Sequence, residues 1–153
     1  MSDTSLVITR TIDAPADAIF DVLSNPERHH ELDGSGTVVS DDRTDRIQGT
    51  GEVFRMNMHA EDMGGDYKTD NHVVGYDENK LLAWKTAPAG TEPPGWQWVW
   101  ELHSTDSSTT EVTLTYDWSA MDPAKAQEVG MPKVSESELE ESIGKLAAAA
   151  ATQ

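Results

Sequence analysis

The chain has 153 residues, 37% hydrophobic and 25% charged, the balance of one folded domain with a real core rather than a disordered polymer. Asp and Glu total 28 against 11 Lys and Arg, and the resulting formal charge of −17 repels nucleic acid and anionic membranes, so neither is an expected partner. Cysteine is absent, which excludes disulfides and thiolate metal sites and makes the cytoplasm the default location.

No apolar run approaches membrane-spanning length, so no membrane insertion is expected, and the opening "MSDTSLVITR" lacks the pattern of a signal peptide. The acidic excess has two readings. It is either an ordinary solvated surface or an adaptation to high internal salt, and loss of structure in low-salt buffer separates the second from the first.

Taken in chain order, "SLVITRTI" alternates, with Leu6, Ile8 and Ile12 on one face, and reads as a strand. "DAPADAIFDVLSNPERHH" changes period to a helix with Asp13 or Ala14 at its cap, Pro15 in its first turn, and Ala16, Ile19, Phe20 and Leu23 on one face. "SNP" ends that helix and starts another short one. Six strand-like runs follow: "GTVVSDD", "TGEVFRMNMH", "DYKTDNHVVGY", "LLAWKT", "GWQWVWELH" and "TEVTLTYDWS". "MDPAKAQEVGMP" holds a short helical piece closed by Gly130 and Pro132. "SESELEESIGKLAAAAA" then opens on a capping box, Ser135 and Glu138, and carries Leu139, Ile143, Leu146, Ala147 and Ala150 on one stripe.

Strands bounded by helices indicate an α+β fold, and short links between successive strands indicate an antiparallel meander. In a meander alternate links fall at one end. "DDRTDRIQ", "DEN" and "TDSST" are plain turns, whereas "AEDMGG", "APAGTEPPG" and "AMDPAKAQEVGMPKV" are longer and fall together at the other end, where an entrance is expected.

The segments "ITRTIDAPADAIFDVLSNPERHHELDGSG" and "GGDYKTDNHVVGYDENKLLAWKT", with "WQWVWEL", "TYDWS" and "VSESELEESIGKLAAA", resemble the START-like (SRPBCC) helix-grip superfamily, in its bacterial polyketide cyclase/dehydrase-type branch. The resemblance spans nearly the whole chain, residues 1–153, as a single domain. It implies a curved seven-stranded antiparallel sheet around a long C-terminal helix, two short helices between strands 1 and 2, and a cavity between sheet and helix. Members bind lipids, sterols, polyketides and aromatic products, and some catalyse cyclisation or dehydration. Fold membership alone does not fix which.

Period two assigns the strand faces. Phe54, Met56 and Met58 share one; Trp96, Trp98, Trp100 and Leu102 another; Val112, Leu114, Tyr116 and Trp118 a third. These sets are core or cavity wall. The bulky Trp84, Trp96, Trp98, Trp100 and Trp118, set against a final helix rich in Ala with Gly144, favour a void. The expected cavity residues are Phe54, Met56, Met58, Asn71, Trp84, Trp98, Trp100, Tyr116, Leu139 and Ile143, with entrance loops at Gly64, Gly65, Pro93, Pro94 and Gly95.

In "DYKTDNHVVGY" neither face is clearly apolar. If Tyr67 points inward, Asn71 orients a ligand oxygen; otherwise Asp70 and His72 form a histidine–carboxylate unit in the cavity, although a solvent face is the simpler role for His72.

"RHHELDGSG" invites a metal reading. On a helix, however, His29 and His30 diverge by about 100° and cannot share one ion. No zinc spacing such as HExxH occurs, and the segment reads as a helix end running into a turn. No metal and no cofactor is expected. For catalysis the candidates are His59, with Glu61 and Asp62 at the entrance, and His72; His103 falls outside the cavity by period.

The leading reading is binding of a hydrophobic or aromatic small molecule by a monomer or homodimer. The alternatives are a cyclase or dehydratase using the same cavity, and a regulatory or interaction domain whose interior is filled by side chains.

Overall fold

The computed structural model describes residues 4–33, 37–42, 45–61, 64–131 and 134–151. Strand β1 (Ser5–Ile12) leads into helix α1 (Ala16–Leu23), a 3-10 turn (Pro26–Arg28) and helix α2 (His29–Leu32). Strands β2 (Val38–Asp41), β3 (Val53–Ala60), β4 (Gly65–Asp77), β5 (Leu81–Pro88), β6 (Gln97–Asp106) and β7 (Thr109–Asp117) follow, then helices α3 (Pro123–Val129) and α4 (Glu136–Ala151).

All seven strands join one antiparallel sheet in the order β1-β7-β6-β5-β4-β3-β2. It is a six-strand meander with β1 added beside β7, the α+β helix-grip arrangement expected. Helix α4 lies against α1, α2, β1 and β7. No helix among the described residues is long and apolar enough to cross a membrane.

Local chemistry accounts for the helix positions. Pro15, extended at φ −69° and ψ 152°, is itself the N-cap of α1 rather than a first-turn residue. The four buried residues of α1, Ile19, Phe20, Val22 and Leu23, form its inner face. Helix α4 starts on the expected capping box: Ser135 N–H donates to Glu138 Oε1 at 3.0 Å, and Glu138 N–H donates to Ser135 Oγ at 3.2 Å. Its buried row, Leu139, Ile143, Leu146 and Ala150, enters the core beside α1; burying each leucine or isoleucine side chain stabilises the fold by ~1.5–3 kcal/mol. Gly130, left-handed at φ 87°, closes α3, while Pro132 lies outside the described residues.

Strand β4 explains its own ambiguous pattern. Its register with β5 shifts between Val73 and Gly75, a β-bulge that inserts Val74 into the ladder and leaves it 45% exposed. Before the bulge the inward residues are Tyr67, Thr69, Asn71 and Val73; after it the inward residue is Tyr76, whose ring meets Phe20 edge-on at 5.5 Å. A single alternation cannot describe a strand that changes phase midway.

Gly95, in the link between β5 and β6, crosses the start of the β7–α3 link. A Cβ there would sit 2.7 Å from Met121 N and 2.8 Å from Ala120 C, and the residue holds φ 129°. This glycine permits close backbone approach and fixes the loop against its neighbour, so it is not a hinge. Gly95→Ala is expected to destabilise the protein by roughly 2 kcal/mol through strain and clash together. Denaturant unfolding checks this, and Gly64→Ala, where a Cβ meets nothing within 4 Å, provides the comparison with strain alone.

Candidate functional site

A cavity of ≈ 280 Å³ opens between the sheet and the start of α4, in the half of each strand nearest the three long links. Strand β3 contributes Phe54, Met56, Met58 and Ala60; β5 contributes Trp84, Thr86 and Pro88; β6 contributes Trp98 and Trp100 with Trp96 just before it; β7 contributes Leu114 and Tyr116. The alternation of each strand turns these residues inward, and their bulk lines a wall that is mostly aromatic and aliphatic. The Trp98 and Tyr116 rings stack face to face at 4.1 Å, 7° from parallel, within that wall.

From β4 come Tyr67, Thr69 and Asn71, so the Tyr67 face points inward. Asn71 is already occupied: its amide nitrogen donates to the Phe54 carbonyl at 3.2 Å and to Thr69 Oγ1 at 3.4 Å, and its oxygen accepts from Thr86 Oγ1 at 2.7 Å. It ties three adjacent strands into a rigid wall, a different task from orienting a ligand oxygen. Trp100 differs in kind. It is 2% exposed, and its indole N–H is buried without a hydrogen-bond partner.

The helix side departs from the expected residues. Glu138 and Ser142 line the cavity, whereas Leu139 and Ile143 belong to the core. One residue along a helix is a rotation of about 100°, so the apolar row finds α1 and the row beside it faces the void. Gly144, expected to leave space under the helix, faces solvent with nothing within 4 Å of a Cβ.

Neither candidate histidine faces the cavity. His59 is exposed on the outer face of β3, with Nδ1 2.7 Å from Asp66 Oδ1 and Nε2 3.4 Å from Glu61 Oε1. The Asp66 and then the Glu61 hydrogen bond raise its pKa, and Asp62 lies outside the described residues. His72 points to the same outer face, opposite Val53 and Lys85 in register. Its neighbour Asp70 is bound by Arg55 at 2.7 and 3.2 Å and by Gly90 N–H at 2.8 Å. The Arg55 guanidinium holds the Asp70 carboxyl below its usual range. That unit braces the β5–β6 loop from outside; the period-two alternation places it there. His103 is exposed, as its period indicates.

His29 is the functional candidate that sequence reasoning missed. It opens α2 rather than ending a helix, and it is 4% exposed while His30 is exposed. Its Nε2–H donates to the Leu23 carbonyl at 2.6 Å. The ring stacks on Trp84 at 5.3 Å and 22°, and meets Phe54 edge-on at 5.3 Å, in the cavity wall. Burial, only partly offset by the Leu23 bond, lowers its pKa to about 4. The imidazole is therefore neutral at pH 7, with its proton on Nε2 and Nδ1 unprotonated. The available signal was its spacing from buried Leu32, which puts both on one helical face.

Gly64, Pro93 and Pro94 sit in links that adjoin the cavity and Gly65 opens β4, but none of the four is among its lining residues. Ala60, Pro88 and Trp96 flank those links and are.

A curved antiparallel sheet around a long C-terminal helix, with a cavity between them, defines a helix-grip protein of the START-like class. The chain belongs to the family described as "Polyketide cyclase / dehydrase and lipid transport", which it matches over residues 3–151.

Among curated proteins it is 32% identical over 115 residues to Rv0088 of Mycobacterium tuberculosis, covering 74% of this chain and 48% of that protein. The chain thus spans about half the length of the curated relatives it matches. Three solved structures are similar in fold. Protein Ms6760 from Mycobacterium smegmatis has a TM-score of 0.68 at 17% identity, covering 98% of this chain and 93% of that one. A protein from Arthrobacter aurescens has a TM-score of 0.70 at 14% identity, with coverage of 100% and 91%. The Zhui aromatase/cyclase from Streptomyces sp. R1128 has a TM-score of 0.60 at 17% identity, with coverage of 95% and 90%.

Proposed function

We propose that this protein binds a hydrophobic or aromatic small molecule in the cavity beneath α4. The observation that carries this reading is the ≈ 280 Å³ void itself, walled by Trp84, Trp96, Trp98, Trp100, Phe54 and Tyr116 where a filled core would have side chains in contact. Affinity comes from burial against that wall, and the three long links control access. The void also argues against an interaction domain with a filled interior.

Tryptophan fluorescence tests the reading, because four of the five tryptophans line the void. A planar aromatic ligand is expected to change the emission saturably with a micromolar or tighter Kd; a linear, non-saturating response across a panel of aromatic and acyl ligands contradicts it.

A cyclase or dehydratase acting in the same cavity is the second reading, and the observation favouring it is His29. A neutral imidazole fixed in one tautomer at the wall accepts a proton at Nδ1, a role that His59 and His72 cannot perform from the outer face.

A further inference from the structure

We propose that the Trp100 indole N–H is the anchoring donor of the cavity, and that it selects a planar aromatic ligand carrying a neutral carbonyl oxygen. The inference rests on the binding function proposed above and adds the polar contact that fixes the ligand. Only two buried side-chain nitrogens or oxygens among the described residues lack a hydrogen-bond partner. One, His72 Nε2, is on the outer face of the sheet; the other, Trp100 Nε1, belongs to a residue of the cavity wall.

A buried N–H without an acceptor is costly, and folded proteins supply partners to nearly all such groups. The protein offers none nearby in register, because Trp100 lies between Leu82 on β5 and Leu114 on β7. The leucine side chains on either side are apolar and supply no acceptor. A ligand that is apolar except for one acceptor meets both conditions.

Two more observations narrow the acceptor and its carrier. Asp33 and Glu138 line the same cavity, in a chain of formal charge −17, so a carboxylate ligand is opposed while a neutral carbonyl is not. The wall is largely aromatic, with Phe54, Trp84, Trp96, Trp98 and Tyr116 around the void, which suits an aromatic ring system better than a flexible chain.

The test compares fluorenone with fluorene, which differ by a carbonyl oxygen in place of a methylene, on protein labelled with nitrogen-15 at tryptophan. Fluorenone is expected to bind about tenfold more tightly than fluorene, the usual scale for one buried hydrogen bond. The Trp100 indole cross-peak, identified by its loss in Trp100→Phe, is expected to move downfield with fluorenone and not with fluorene. In Trp100→Phe the preference for fluorenone over fluorene is expected to vanish, whatever the truncated side chain does to the affinity of both compounds.

Equal affinities in the native protein, with the Trp100 signal unmoved, overturn the anchor and leave the binding function intact. Failure of both compounds to bind overturns the binding function as well. Should Trp100→Phe not fold, the native protein's preference between the two ligands, together with one indole signal responding to fluorenone alone, decides the matter.

Discussion

His29→Gln is expected to abolish a loss of stability of about 2 kcal/mol that the native protein undergoes between roughly pH 6.5 and pH 5. The folded ring is buried and held neutral with a pKa near 4, whereas the unfolded chain's histidine takes up a proton below 6.5. Stability from this group is therefore fully present above pH 6.5 and is lost progressively as pH falls toward 4. The slope is about 1.4 kcal/mol per pH unit, so the whole span is worth about 3 kcal/mol. Asp33 and Asp41 pull the pKa up and His30 pushes it down, but burial is the largest influence.

Any pH dependence that arises elsewhere in the molecule is common to both proteins. The difference between native and His29→Gln curves isolates His29. Glutamine retains an amide that can reach the Leu23 carbonyl, so the backbone oxygen keeps a donor. Denaturant unfolding at several pH values is the measurement; parallel curves for the two proteins would mean that the ring is not held neutral.

Ser142→Phe is expected to lower affinity for aromatic ligands by at least about a hundredfold while the fold survives. Ser142 is 7% exposed on the cavity-facing row of α4 and looks across the void toward the aromatic wall. A phenyl ring there occupies the space a ligand would fill. If the space is real, the ring is accommodated and stability changes by less than ~1 kcal/mol. In a filled core the same substitution overpacks and costs ~1–3 kcal/mol or more. Stability and binding together thus report on the cavity: a destabilised variant that binds as well as the native protein would contradict it.

The sheet was legible because period two is robust wherever the ladder is regular. Phe54, Met56, Met58, Trp98, Trp100 and Tyr116 face inward as their alternation indicates. The bulge after Val73 hid the face of β4, since it exchanges inward and outward positions midway.

The helix side was harder to read for a physical reason. An apolar stripe identifies the row that enters the core, here Leu139 and Ile143, whereas the cavity-facing row is polar, here Glu138 and Ser142, and looks like surface. His29 was hidden because adjacent histidines have equal claims in sequence, and only the turn from Pro26 to Arg28 decides which is buried. The unpartnered Trp100 N–H could not be read at all, since an inward tryptophan declares its ring and not the fate of its donor.

The most direct test is native mass spectrometry of freshly purified protein, alone and after incubation with an aromatic ligand panel, beside Ser142→Phe. The account requires a discrete one-to-one adduct on the native protein that is released on denaturation and missing from Ser142→Phe. Apo masses for both proteins under every condition, or an adduct that persists unchanged in Ser142→Phe, would show that the space beneath α4 is not a binding cavity.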